Sequence, residues 1–176
     1  MGEATGGIDA IDRIIEQWRR ERPDLDLSAM GVFGRLAQLT RLMMPQVDRV
    51  FTKRGLRQGE FDVLAALRRA GPPYTLIPSE LSDVLMMSRA GMTNRLDRLE
   101  AAGLVERSLD PADRRSFRVR LTEQGLRVID DTLTEHAANL ARLAAPLTPE
   151  DVETLSLLMR KLAGGPLGDR GDADAP

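Results

Sequence analysis

The sequence predicts a mostly α chain with one small β-hairpin, and three observations carry that expectation. Apolar residues recur at three- and four-residue steps over most of the 176 residues, the period of a half-buried helix. Between Pro78 and Gly103 a short helical segment, a break and a longer helical segment follow one another. Directly after them, LVERSL and SFRVRLT alternate apolar and polar residues like two strands, joined by the turn-forming DPADRR.

Taken in order, residues 1–7 (MGEATGG) are small and expected to be disordered. Ile8, Ile11, Ile14, Ile15 and Trp18 form the apolar stripe of a first helix. Asp9 and Asp12 sit in its first turn, where carboxylates oppose the positive helix end, and Pro23 lies just past its end. A second helix starts near Ser28 and carries Val32, Leu36, Leu39, Leu42, Val47, Val50 and Phe51. Pro45 interrupts its backbone bonding, so a kink is expected, and Gly55 closes it. Residues 57–70 read as a third helix with Phe61, Leu64, Ala65 and Leu67 inward. AGPPYTL is a turn or short extended connection.

Pro78 and Ser79 open the short helix SELSDVLM, which ends in a tight break around Met87 and Ser88. RAGMTNRLDRLEAAG then forms a longer helix ending at Gly103, with the hairpin behind it. Thr122 begins a long helix carrying Leu126, Ile129, Leu133, Ala137, Leu140 and Ala144. Thr148, with Pro149 next and Asp151 three residues on, is the N-cap of a last helix striped by Val152, Leu155, Leu158, Met159 and Leu162. The tail GGPLGDRGDADAP is polar and expected to be flexible.

Composition excludes several classes of function. There is no cysteine, hence no disulfide, Cys-based zinc site or thiol sensor. The lone histidine, His136, reads as a surface helix residue, and neither a metal nor a cofactor is expected. Methionines 43, 44, 86 and 87 read as core fillers. No nucleophile–base pair, phosphate-binding glycine loop or metal-ligand spacing is present, so the chain reads as a non-enzyme. No apolar run reaches membrane length and no basic-then-apolar signal opens the chain. A cytoplasmic protein, associated with the nucleoid, is expected.

The net charge of −2 argues mildly against a nucleic-acid partner, but its distribution argues for one. From Ser88 to Arg120 there are eight Arg (89, 95, 98, 107, 114, 115, 118 and 120) against five acids, a local balance of +3. Two helices joined by a tight turn, followed by an arginine-tipped hairpin, amount to a winged helix-turn-helix over roughly residues 76–121. Its second helix fits a major groove of double-stranded DNA. Met92, Leu96 and Leu99 would pack inward, leaving Arg89, Gly91, Thr93, Asn94, Arg95 and Arg98 for DNA, with Ser88 as cap and phosphate contact. Arg114 and Arg115 at the wing tip would enter a minor groove, Asp113 orienting Arg115. A solvated charged helix face with an ordinary hairpin is the plain alternative, and a non-specific architectural DNA protein is a further one.

The pattern RLDRLEAAGLVER, followed by DPADRRS and LTEQG, resembles the DNA-binding core of the MarR family of bacterial regulators, and the likeness extends over almost the whole chain. It implies a homodimeric winged helix-turn-helix with intertwined N- and C-terminal helices. Most such proteins are repressors released from DNA by small ligands. On that reading, residues 8–55 supply dimerisation and a ligand pocket, and 56–121 the DNA-binding region. Residues 122–163 supply dimerisation, and 164–176 the tail. The added N-terminal helix resembles that of the family's urate-responsive branch. The positions matching that branch's ligand residues are Trp18, Asp62, Arg69 and Arg107.

The chemistry of those four residues is coherent by itself. Asp62 and Arg69, seven apart, share one helix face. Urate is a flat monoanion that an indole can pack against and that arginines can hold through paired donors. Asp62 would then sit between the arginines, in competition with the incoming anion. A phenolic acid or antibiotic-like ligand is the alternative effector. A Trp18 that merely closes the dimer core and an Asp62–Arg69 surface pair are the bland readings.

Overall fold

The structure, a computed structural model, describes residues 9–86, 88–109 and 117–165, and of Arg89 only the backbone. The expected disordered N-terminus, the break at Met87, the turn DPADRR and most of the tail lie outside the described residues.

Helix α1 (Ala10–Glu21) begins at Asp9, whose side chain caps Asp12 N while Asp12 caps Asp9 N in return. This box satisfies two backbone donors that a helix start leaves orphaned. Helix α2 (Ser28–Thr52) runs through Pro45, and its Arg35 grips the start of α1 through Asp9 at 2.9 Å and Asp12 at 2.5 Å. Helix α3 (Gln58–Arg69), strand β1 (Thr75–Leu76), helix α4 (Pro78–Val84) and helix α5 (Arg89–Ala101) follow. Strands β2 (Val105–Leu109) and β3 (Phe117–Leu121) lead to helix α6 (Glu123–Ala144) and helix α7 (Pro149–Ala163).

The sheet is antiparallel with order β1-β3-β2. The sequence suggested two strands; the segment after the two prolines supplies a third by pairing Thr75 with Arg120 and Leu76 with Val119. Two residues carry no alternation of their own, so only the partner strand makes them a strand. Across the hairpin Val105 faces Leu121, Arg107 faces Val119 and Leu109 faces Phe117. Val105, Val119 and Leu121 are buried, which sets that face toward the helices.

One core joins the end of α2 to α3, α4, α5, the sheet and the start of α6. Phe51, Val63, Leu64, Leu67, Leu81, Met92, Leu99, Val119 and Ile129 lie at its centre. Each fully buried side chain of this kind contributes about 1.5–3 kcal/mol. Polar ties fasten α6 to α2: Lys53 to Glu135, Arg54 to Asp131 and Glu135, and Asn139 Nδ2 to the Gln46 carbonyl.

The rest of the chain is apolar without being covered. Met30, Val32, Phe33, Leu36, Leu39 and Leu42 of α2 are exposed, as are Leu133 and Leu140 of α6. Helix α7 is capped as expected, Thr148 accepting from Asp151 N, yet it buries none of its residues. Its stripe therefore has no intrachain core to fill. The methionine expectation is corrected as well: Met43 and Met86 are exposed, Met44 is half-buried, and Met92 is the core methionine. Met86 stands at φ +52 in the turn between α4 and α5. Among the described residues no helix is long and apolar enough to cross a membrane, and no cluster of ligating side chains would hold a metal.

Candidate DNA-reading face and effector constellation

Helix α5 is held from three sides. Met92, Leu96 and Leu99 are buried against the core, and Ser88 Oγ accepts from Gly91 N at 3.2 Å, the cap expected of it. Arg98 Nε donates to Glu60 Oε1 at 2.6 Å. That carboxylate is almost fully buried and also accepts from Arg57 N at 2.8 Å. Burial pushes Glu60 up, but the Arg98 and Arg57 contacts outweigh it and hold the carboxyl below the ordinary glutamate value.

Arg95 lies over the first turn of α3. A Cβ at Gly59 would come within 2.3 Å of the Arg95 guanidinium carbon, so glycine there is what admits the arginine. The structure thus places two of the expected DNA-contacting arginines, Arg95 and Arg98, against α3. Arg95 lies at the edge of the buried stripe, next to Leu96, whereas Arg98 stands on an exposed position and reaches Glu60 by the length of its side chain. The face opposite the core exposes Ser88, Ala90, Thr93 and Asn94, with Gly91 half-exposed beside them. The side chain of Arg89, and Asp113, Arg114 and Arg115 of the wing tip, lie outside the described residues.

The four residues proposed for a ligand are distributed as follows. Asp62 is half-buried on α3. Burial raises its pKa above the ordinary aspartate value, opposed by the charges of Arg95, Arg69 and His136 in that order. Asp62 and Arg69 are therefore brought together, and the further cation beside Asp62 is Arg95 rather than Arg107. Arg107 points from β2 onto α5, where it bonds Asp97 at 2.5 Å. Its Nε is buried without a hydrogen-bond partner among the described residues, the Glu100 carboxylate standing 3.5 Å away. Trp18 lies on α1 with 47% of its surface exposed, and no described hydrogen bond, ion pair or ring contact joins it to the other three. A cleft of about 470 Å³ opens beside Asp62 and Arg95, lined also by Arg57, Gln58 and Leu85.

His136 corrects the sequence reading of a surface residue. Its ring packs 5.1 Å from Phe51 and 5.3 Å from Phe61. Its Nδ1 is buried and lacks a hydrogen-bond partner among the described residues. Burial lowers its pKa, with Asp62 opposing. Helical spacing accounts for its place: His136 lies seven residues after Ile129 and four after Thr132, both fully buried on the same face of α6. Glu60 and Gly59 are a charged residue and a glycine, and no apolar period marks either of them in the sequence.

Residues 54–116 match a family model described as MarR family. The chain is 40% identical over 152 residues to the HTH-type transcriptional regulator PecS of Dickeya dadantii, covering 86% of this chain and 92% of PecS. Among solved structures, Sco3205, a MarR family transcriptional regulator from Streptomyces coelicolor in complex with DNA, superposes with a TM-score of 0.74. That likeness has 26% identity and covers 86% of this chain and 94% of Sco3205. A mutant MarR from E. coli complexed with operator DNA gives 0.67 and 27%, covering 77% and 96%. A helix-turn-helix with its reader helix clamped to the core, a strand-paired wing and relatives named as regulators agree: this chain belongs to the MarR family, and is a DNA-binding transcriptional regulator rather than an enzyme.

Proposed function

We propose that the chain is a homodimeric, ligand-responsive repressor that binds a pseudo-palindromic operator in double-stranded DNA and is released by urate or a similar purine anion, acting in the cytoplasm at the nucleoid. The observation that carries the DNA half is the division of α5. One side is fixed by Leu96, Leu99, Arg95 and Arg98, and the other offers Ser88, Gly91, Thr93 and Asn94. A reader helix so fixed presents base-contacting groups without reorganising. Asn94 suits an adenine, at about 1–3 kcal/mol of discrimination. Arg89, Arg114 and Arg115, with Asp113 orienting the last, are assigned to phosphate and minor-groove contact.

The uncovered apolar faces of α1, α2, α6 and α7 support dimerisation through residues 8–55 and 122–163, and two copies supply the two half-sites. Trp18, exposed on α1 beside the exposed Ile14, reaches the effector in that assembly. The coupling runs through Asp62. Already costly to ionise where it sits, it is steadied by Arg95 on the reader helix and by Arg69. A urate anion engaging Arg69 and Arg107 draws those cations away from the acids that hold them and repels Asp62. Arg95, and with it α5, then loses its anchor.

Gel-shift titration on the intergenic DNA beside its own gene tests this: urate should release a single shifted complex. Urate that binds but leaves the complex intact would remove the coupling. Urate binding insensitive to changes at Trp18, Asp62, Arg69 and Arg107 would remove the pocket. A phenolic acid or antibiotic-like effector is the second reading. The engagement of Arg107 by Asp97 and Glu100 favours it, since a smaller anion needs only Arg69 and Arg95. Calorimetry with urate, xanthine and salicylate distinguishes the two.

A further inference from the structure

The wing carries apolar surface that the core does not use. Leu109 and Phe117 stand directly opposite each other across β2 and β3. Alternation along the strands puts them on the same face as Val105, Val119 and Leu121, which are buried. Yet the pair is open, Leu109 being 59% and Phe117 50% exposed. The opposite face is polar, with Glu106, Ser108, Arg118 and Arg120 exposed. The hairpin therefore has an apolar face that runs on past the end of the core. Three bonds give its direction: Leu104 N to the Leu99 carbonyl, Arg107 N to the Glu100 carboxylate, and Arg107 Nη2 to the Asp97 carboxylate. Strand β2 thus runs back along α5, towards the half of that helix that exposes Thr93 and Asn94. In the chain, Phe117 follows Arg115 by two residues. The pair continues the DNA-reading surface, with α5 on one side and the arginine-bearing turn next along the strands.

We propose that Leu109 and Phe117 form an apolar platform for the deoxyribose rings bordering the minor groove of the operator, a contact that adds affinity without reading bases or neutralising phosphate. Sugar carbons are the apolar component of a DNA strand, and a leucine and a phenyl ring leave water against them. Apolar side chains serve other proteins at the minor groove, where they wedge into the duplex. Two side chains offer far less area than the roughly 800 Å² per partner of a stable protein interface. They also lie apart from the α1, α2, α6 and α7 faces proposed for dimerisation, so the occupant is duplex DNA rather than a second copy. The inference rests on the DNA-binding reading of the wing and not on the effector.

Fluorescence anisotropy of the full-length protein on the intergenic DNA beside its own gene, from about 50 to 200 mM salt, tests the platform. Phe117→Thr and Leu109→Thr keep a strand-forming residue and should each weaken binding about tenfold. The factor should be the same at every salt concentration, because no phosphate charge is involved. Arg115→Ala, by contrast, should flatten the salt dependence. Phe117→Leu should keep most of the affinity, and melting and sedimentation of all these variants should match the wild type. Unchanged affinity in both threonine variants would overturn the platform. So would a flattened salt dependence in them, which would mean that they had displaced the wing's arginines instead. A lowered melting temperature would assign the pair to the core, and altered sedimentation would assign the face to a second copy; either overturns the proposal. A wild type without sequence-specific binding would sink the DNA-binding reading itself, whereas threonine variants equal to a wild type that binds sink only the platform.

Discussion

A methyl group at Gly125 would stand 1.9 Å from the Leu104 carbonyl oxygen, the atom that also accepts from Thr122 N. Glycine is a poor helix former, and alanine there would gain about 0.5–1 kcal/mol from propensity alone. Pushing a helix off a strand costs more, about 1–3 kcal/mol for overpacking. Gly125→Ala is therefore expected to destabilise by a net 1 kcal/mol or so, read from urea melts; a more stable variant would show that α6 can slide. Asp62 carries a second expectation at this scale. Its folded-state pKa is raised, chiefly by burial. The folded protein therefore loses stability as pH rises from the ordinary aspartate value through the raised one, and does not regain it above. Asp62→Asn should melt higher than the wild type at neutral pH, and that advantage should vanish as pH falls below the ordinary aspartate range. A difference independent of pH would show that the Asp62 charge carries no such penalty.

At the scale of the element, RLDRLEAAGLVER is a clamp as much as a reader. Arg95 lies on Gly59, Arg98 pairs with Glu60, Glu100 Oε1 accepts from Arg107 N at 3.2 Å, and Glu106 pairs with Arg120. These bonds tie α5 to α3 and the two strands to each other and to α5, while the exposed face of α5 is left to Thr93 and Asn94. Substitutions on the two sides should therefore fail differently. Arg98→Gln leaves a buried carboxylate without its cation and is expected to cost about 1–3 kcal/mol of stability with base preference unchanged. Asn94→Ala should leave the melting temperature unchanged and cost about 1–3 kcal/mol of operator affinity, lost mainly at one base position per half-site. Binding to an operator series alongside thermal melts separates the two. Loss of base preference in Arg98→Gln would return that arginine to the DNA.

The molecule as a whole is a packed DNA-binding lobe with apolar helical arms that one chain cannot cover. Val152, Leu155, Leu157, Leu158 and Leu162 on a single capped helix are all exposed, a contiguous surface of the kind that marks an interface. Leu155→Asp with Leu158→Asp should leave the lobe folded and, for the homodimer proposed above, yield a monomer in sedimentation experiments. Operator binding should fall with it, because a lone reader helix meets one half-site and its partner site lies about one helical turn away. A double variant that sediments and binds like the wild type would place the dimer contact elsewhere.

The sequence by itself determined the order and type of the helices, the caps at Ser88 and Thr148, and the inward stripe of the reader helix. Each of these is a local property, set by a period of 3.6 or by a hydroxyl or carboxylate three residues from a backbone donor. Only the tertiary structure decided that Thr75 and Leu76 are a strand, that His136 lies against Phe51 and Phe61, and that Arg95 and Arg98 turn toward α3. It also put Arg95 in the place beside Asp62 that the sequence had given to Arg107. A long arginine reaches either neighbour from the same backbone position. Which one it reaches depends on Gly59 and Glu60, more than thirty residues earlier in the chain, and no local period records a contact of that separation.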